Sequence, residues 1–165
     1  MKKCLLLLVS IIAFGATSME ELKLREGMSA PDFTLPTPEG EDISLLKFLE
    51  NKKLILVDFW ASWCAPCRKE GQNIKAIYEK YHAKGFDVLG VSLDNSAEKW
   101  KKAIQEDQTP WMHVSDLKGW KTPLLKLYEF KSIPCLYLID GQGKIVARDL
   151  RGEDLRNKIA EICDK

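Results

Sequence analysis

The sequence predicts an α/β domain built on a central mixed β-sheet, with helices on both faces and an N-terminal β-hairpin. Three observations carry that expectation. Residues 54–60 and 86–93 are nearly continuous apolar runs, the pattern of strands covered on both faces. Helical periodicity between them implies a parallel pair joined by a right-handed crossover. Residues 135–139 and 144–148 then flank Asp140-Gly141-Gln142-Gly143 as an antiparallel hairpin, which makes the sheet mixed.

The remaining elements follow in chain order. Gly27-Met28-Ser29-Ala30-Pro31-Asp32 reads as a turn into a short strand at Phe33-Thr34-Leu35. Turn residues fill 36–42, and Ile43-Ser44-Leu45 reads as the returning strand, followed by one or two helical turns over 46–50. From Cys64 the pattern becomes helical, with Ile74, Ile77, Tyr78 and Tyr81 on one stripe and Gly85 near its end. Ser96 is placed to cap a helix to about Asp107, with Trp100, Ala103 and Ile104 facing inward. Residues 111–115 read as a short strand, Thr122-Pro123 opens a helical stretch to Tyr128, and an amphipathic helix over 153–163 buries Leu155, Ile159 and Ile162.

At 165 residues the chain has the mass for one ordinary domain with a real core. Lys plus Arg number 25 against 24 for Asp plus Glu, so charge gives no reason to propose nucleic acid or an anionic membrane surface as partner. No internal repeat or low-complexity tract is visible. The first eighteen residues differ from the rest: Lys2 and Lys3 precede an apolar run from Leu5 to Phe14, and Gly15, Ala16, Thr17 and Ser18 follow. That is the layout of a secretory signal peptide, with a cut after Ser18 or after Gly15. The competing reading is a retained anchor, but the run is shorter than the roughly 20 residues a spanning helix needs. Cys4 precedes the apolar run and is not read as a lipid attachment site. The expected organisation is a signal peptide over 1–18, a mobile tail over 19–26 and one domain over 27–165.

Export leaves four cysteines in the mature chain: Cys64, Cys67, Cys135 and Cys163. Disulfides persist outside the cytosol, so a structural bond is the first alternative. Cys64 and Cys67 are too close to staple much chain, because so short a loop removes little unfolded-state entropy. Their bond suits being made and broken. Placed where a strand meets a helix, the first thiol is favoured as thiolate by the exposed N–H groups and the macrodipole, and the second lies one turn along. Pro66 fits a first helical turn without cost. The chemistry is attack by Cys64 on a disulfide and resolution by Cys67, with the Cys64–Cys67 disulfide as the only redox group and no metal or other cofactor.

Val57-Asp58-Phe59-Trp60-Ala61-Ser62-Trp63-Cys64-Ala65-Pro66-Cys67 resembles the active-site segment of thioredoxins. The wider chain is similar to the exported TlpA/ResA-like branch of thioredoxin-like thiol–disulfide oxidoreductases. Its entry, Ala30-Pro31-Asp32-Phe33-Thr34-Leu35, resembles that of the AhpC/TSA and Redoxin proteins. The likeness extends through Ser132-Ile133-Pro134 and residues 138–144, covering nearly all of 27–163. It implies a thioredoxin-like fold in which Pro134 is a cis-proline against the cysteine pair, and Ile133 offers backbone groups to an extended substrate. Trp63, Ala65 and Pro66 complete the docking surface, and Trp60 packs beside the pair. Asp58 matches the family's buried aspartate, a carboxylate able to take the Cys67 proton. Glu70 matches an acidic residue of the ResA-like branch, with a solvated helix residue as the equal alternative. The implied partners are oxidised exported proteins, apocytochrome c among them, and a membrane thiol–disulfide electron donor. The implied place of action is the periplasm, with membrane contact only through an uncleaved signal segment, and the chain is expected to act as a monomer.

Three positions depart from that pattern. Gly71-Gln72 stands where a helix-kinking proline is usual, and Gly90 where thioredoxins place a lysine near the buried aspartate. Cys135 follows Pro134, as a buried small hydrophobe or as a third thiol that rearranges the Cys64–Cys67 bond. Arg68 and Lys69, like Lys52 and Lys53, read as solvated charges, with the alternative that the first two help hold a thiolate. Cys163 reads as structural or tolerated, and His82 and His113 as surface or core packing. Two other functions share the fold. A peroxiredoxin-like peroxidase resembles Pro-x-x-x-Thr-x-x-Cys, whereas Val57 and Ala61 occupy those places here. A metal-binding or chaperone module lacks a second Cys-x-x-Cys and a ligand-spaced histidine.

Overall fold

A computed structural model describes residues 24–165, so the expected signal segment and residues 19–23 of the expected tail lie outside the described residues. Leu24, expected in that tail, is instead packed: its side chain is buried and its N–H donates to Glu129 Oε2 at 2.8 Å.

β1 (Thr34–Pro36) and β2 (Asp42–Ser44) form the entry hairpin. The returning strand stops one residue earlier than the sequence suggests, because Ser44 caps the next helix, α1 (Leu45–Leu49), accepting from the Lys47 N–H. Five further strands make the mixed sheet: β3 (Leu54–Trp60), β4 (Phe86–Ser92), β5 (Met112–Val114), β6 (Cys135–Asp140) and β7 (Ile145–Arg148). Their spatial order is β5-β4-β3-β6-β7, with β3 parallel to β4, β4 parallel to β5, and β6 antiparallel to β3 and β7.

Every residue of β3 is buried, so the continuous apolar run is explained by two cores, one on each face of the sheet. Ile55, Val57 and Phe59 face one core with Trp100 and Ala103 of α3 (Ala97–Asp107) and Leu124 of α4 (Leu124–Leu127). Leu54 and Leu56 face the other, with Ile74 and Ile77 of α2 (Ala65–Tyr81) and Leu155 and Ile159 of α5 (Gly152–Cys163). The expected α/β class with helices on both faces is the one observed. The helical stretch expected over 122–128 closes only one turn as α4. On α5 the third fully buried residue is Cys163, which continues the i, i+4 row of Leu155 and Ile159, whereas Ile162 is only partly buried. α2 runs unbroken through Gly71, where the usual proline is missing.

Candidate active site

β3 delivers the chain straight into the redox pair. Cys64 is the N-cap residue of α2, with Ala65 and Pro66 opening the helix, and its Sγ accepts from the Cys67 N–H at 3.3 Å. A sulfur so placed faces the unpaired N–H groups and positive end of a seventeen-residue helix, which favours a thiolate there. Cys64 and Cys67 are joined in a disulfide. The loop before them is pinned by Asp94, a buried carboxylate that accepts from Ser62 N–H at 2.9 Å, Ser62 Oγ at 2.6 Å and Ser92 Oγ at 2.7 Å.

The Ile133–Pro134 peptide bond is cis, as the resemblance implied, and the Ile133 carbonyl oxygen lies 3.9 Å from Cys64 Sγ. Arg151 holds this loop, its Nη2 donating to the Pro134 carbonyl at 2.6 Å. Trp63 is exposed and leans against exposed Trp120, with ring centroids 6.0 Å apart. Trp60 is buried and meets His113 edge to face at 5.2 Å. A cleft of about 780 Å³ runs beside Pro134 along Phe130, Ser132 and Arg148. Neither active-site cysteine lines it, so its size says nothing about the thiol chemistry.

Asp58 is buried on the α2–α5 face and, with Cys67, lines one small cavity. Its pKa is pushed up to about 7, first by burial and then by the charge of Glu70, against the opposing charge of Arg151. A carboxyl poised at that value suits proton exchange with a thiol at neutral pH. Gly90 lies directly opposite Asp58 in the sheet, so no side chain from that position pairs with the carboxyl. Both carboxylate oxygens of Glu70 are engaged by other groups. Its Oε1 accepts from the Gly152 N–H at 3.3 Å, at the first turn of α5, and its Oε2 from Asn73 at 3.0 Å. It joins α2 to α5 and acts on Asp58 through charge.

Cys135 is buried opposite Phe59, hence on the face away from Asp58, and burial pushes its pKa up to about 12. At neutral pH it is a protonated thiol in a packed position, which fits the small-hydrophobe reading. Arg68 is not free to hold a thiolate. Its Nε and Nη2 donate to the two oxygens of Asp107 at 2.8 and 2.6 Å, and Nη2 also reaches Glu106 at 3.0 Å. Lys52 is likewise engaged, 3.6 Å from Asp87. Asp94, Arg151 and His113 belong to the site yet carry no sequence signature, since each arrives from a distant strand end or loop.

A disulfide on a helix N-cap, a cis-proline loop across from it and a buried carboxyl sharing a small cavity with the second cysteine define a thioredoxin-like thiol–disulfide oxidoreductase. The chain belongs to the AhpC/TSA family, whose model matches residues 27–148. It is similar to the thiol-disulfide oxidoreductase ResA of Bacillus cereus, 29% identical over 98% of this chain and 91% of the relative. Among solved structures it resembles the thioredoxin domain of a thiol-disulfide oxidoreductase from Bacteroides vulgatus, with TM-score 0.77, 39% identity, and coverage of 84% of this chain and 98% of that one. A thiol:disulfide interchange protein from Bacteroides sp. gives TM-score 0.78 and 39% identity over 86% of this chain and 92% of that one.

Proposed function

We propose that this oxidoreductase is exported to the periplasm and works there as a reductant of disulfides in exported proteins, apocytochrome c among them. The observation that carries the reading is the position of Cys64 Sγ, on the helix N-cap and 3.9 Å from the Ile133 carbonyl. An extended substrate segment laid along Ile133 and Pro134, over Trp63, Ala65 and Pro66, brings its disulfide to that sulfur. The Cys64 thiolate forms an S–S bond to one substrate sulfur as the substrate bond breaks, and the second sulfur leaves with the electron pair. Asp58 accepts the Cys67 proton, and the Cys67 thiolate then forms the bond to Cys64, releasing the first substrate sulfur. A membrane thiol–disulfide donor returns two electrons to the Cys64–Cys67 pair. The export reading rests on the basic start, apolar run and small residues of 1–18, and the protein works as a monomer.

The test is a redox equilibrium titration of the full mature chain with trapping of partners by Cys67→Ser. A potential as low as thioredoxin's, about −270 mV, and trapped exported proteins support the reading. A strongly oxidising potential, or rapid peroxide consumption by the isolated protein, overturns it. N-terminal sequencing of protein from fractionated cells tests the cut after Ser18 or Gly15.

A further inference from the structure

β3, β4 and β5 run in register, so Asp58, Gly90 and His113 occupy one row across the sheet and share the face beneath α2. The space over Gly90 is filled from the side. A Cβ there would lie 2.4 Å from His113 Nδ1 and 3.2 Å from Trp60 Nε1, so the imidazole occupies the gap between Asp58 and its own strand. Among the described residues, Trp60 Nε1, Trp111 Nε1 and His113 Nδ1 are buried without a hydrogen-bond partner. Folded proteins leave few such atoms, and these three residues line one cavity together with Asp58 and Cys67. The cavity measures about 10 Å³, room for one water among several polar groups.

We propose that this cavity holds an ordered water joining His113 Nδ1 to the Asp58 carboxyl, and that His113 is the positioning residue through which the Cys67 proton leaves Asp58. The proposal rests on Asp58 as the acceptor of that proton. Once the Cys67 thiolate has closed onto Cys64, protonated Asp58 gives its proton to the water, and the water passes one of its own to Nδ1. The opposite nitrogen, Nε2, releases its proton to Thr109 Oγ1, 2.8 Å away, as the threonine hydroxyl passes its own proton to solvent. One proton has then moved from Cys67 to solvent at the half-buried edge of the site, Asp58 is again a carboxylate, and the imidazole remains neutral with its proton on Nδ1. The imidazole is suited to this because burial holds it neutral, its pKa lowered to about 3 against the opposing charge of Asp107. Glu70 and Arg151 are the charged groups acting on Asp58, and Arg68 is spent on Asp107 at the outer wall.

The first experiment is an ¹⁵N-histidine NMR titration of the reduced full chain between pH 5 and 9. The expected result is a neutral His113 throughout, whose Nδ1 shift steps with a midpoint near that of Asp58. Asp58→Asn is expected to abolish the step. A flat Nδ1 shift, or a step unchanged in Asp58→Asn, overturns the relay. The second experiment follows resolution of a Cys64 mixed disulfide by stopped flow in Thr109→Val. Resolution is expected to slow at least threefold, with its acid limb displaced by half a pH unit or more and Cys64 attack unaffected. A resolution profile superimposable on wild type overturns the relay as well. If Asp58→Asn resolves at the wild-type rate, the failure lies in the proton-acceptor reading. If Asp58→Asn is slow but Nδ1 is flat, only the relay fails.

Discussion

Asp58 and His113 stand on one row of the sheet with only the backbone of Gly90 between them, and burial drives both to their neutral forms. Their effects on folding have opposite signs. Asp58 keeps its proton to about pH 7 when folded but only to about 3.8 when unfolded, so stability falls as pH rises from 4 to 7, by on the order of 4 kcal/mol. His113 refuses a proton down to about pH 3 when folded, whereas its ordinary value is 6.5, so stability falls as pH drops through 6.5. Between about pH 4 and 6.5 each state holds one of the two protons and the slopes cancel.

Urea unfolding of the oxidised protein across that range should therefore show little dependence on pH from this pair. Asp58→Asn should expose a stability that rises with pH by about 1.4 kcal/mol per unit, and His113→Gln one that falls. Three parallel profiles would refute the compensation.

Arg151 serves two groups at once, the Pro134 carbonyl and, through charge, Asp58. Arg151→Leu should raise KM for a protein disulfide several-fold by loosening the docking loop. It should also move the Asp58 midpoint upward, because a stabilising positive charge is gone. A pH–rate profile with unchanged limbs would show that the charge does not reach the carboxyl.

Gly71 occupies a helix interior with nothing within 4 Å of where a Cβ would be. Glycine in such a place costs about 0.5–1 kcal/mol relative to alanine. Gly71→Ala should gain that much by urea unfolding at pH 7, and a loss would mean that the flexible turn is itself needed beside the cavity.

Cys135→Ala should leave turnover within twofold while costing about 1 kcal/mol of stability through lost packing. Alkylation of the native reduced protein should mark Cys64 promptly and reach Cys135 only on unfolding. A large fall in turnover would instead make Cys135 a working third thiol.

The parts of the site legible in the sequence are those set by contiguous residues. The apolar run of β3, the Cys-x-x-Cys at its end and Pro66 in the first turn each announce themselves by local chemistry, whereas Pro134 before β6 is legible as a site residue only through the family resemblance. Ser96 likewise marks a helix start, whereas Ser44 reads as mid-strand and its capping of α1 takes Leu45 from the expected strand. What sequence did not disclose depends on register. His113 matters because β5 lines up with Gly90 and Gly90 with Asp58, and that coincidence leaves no trace in any one segment. Arg68 read as a solvated charge because its carboxylate partners lie thirty-eight and thirty-nine residues away on α3. The tie of Glu70 to the first turn of α5 was equally hidden, since its partner lies eighty-two residues away.

The clamp of Asp94 on Ser62 leaves Cys64 at the end of a stiff turn, only 5% exposed. With the disulfide so covered, the expected consequence for the proposed reductase is a preference for disulfides in slack, unfinished chains over those sunk in folded ones, which reduction rates on a denatured and a native disulfide protein compare directly.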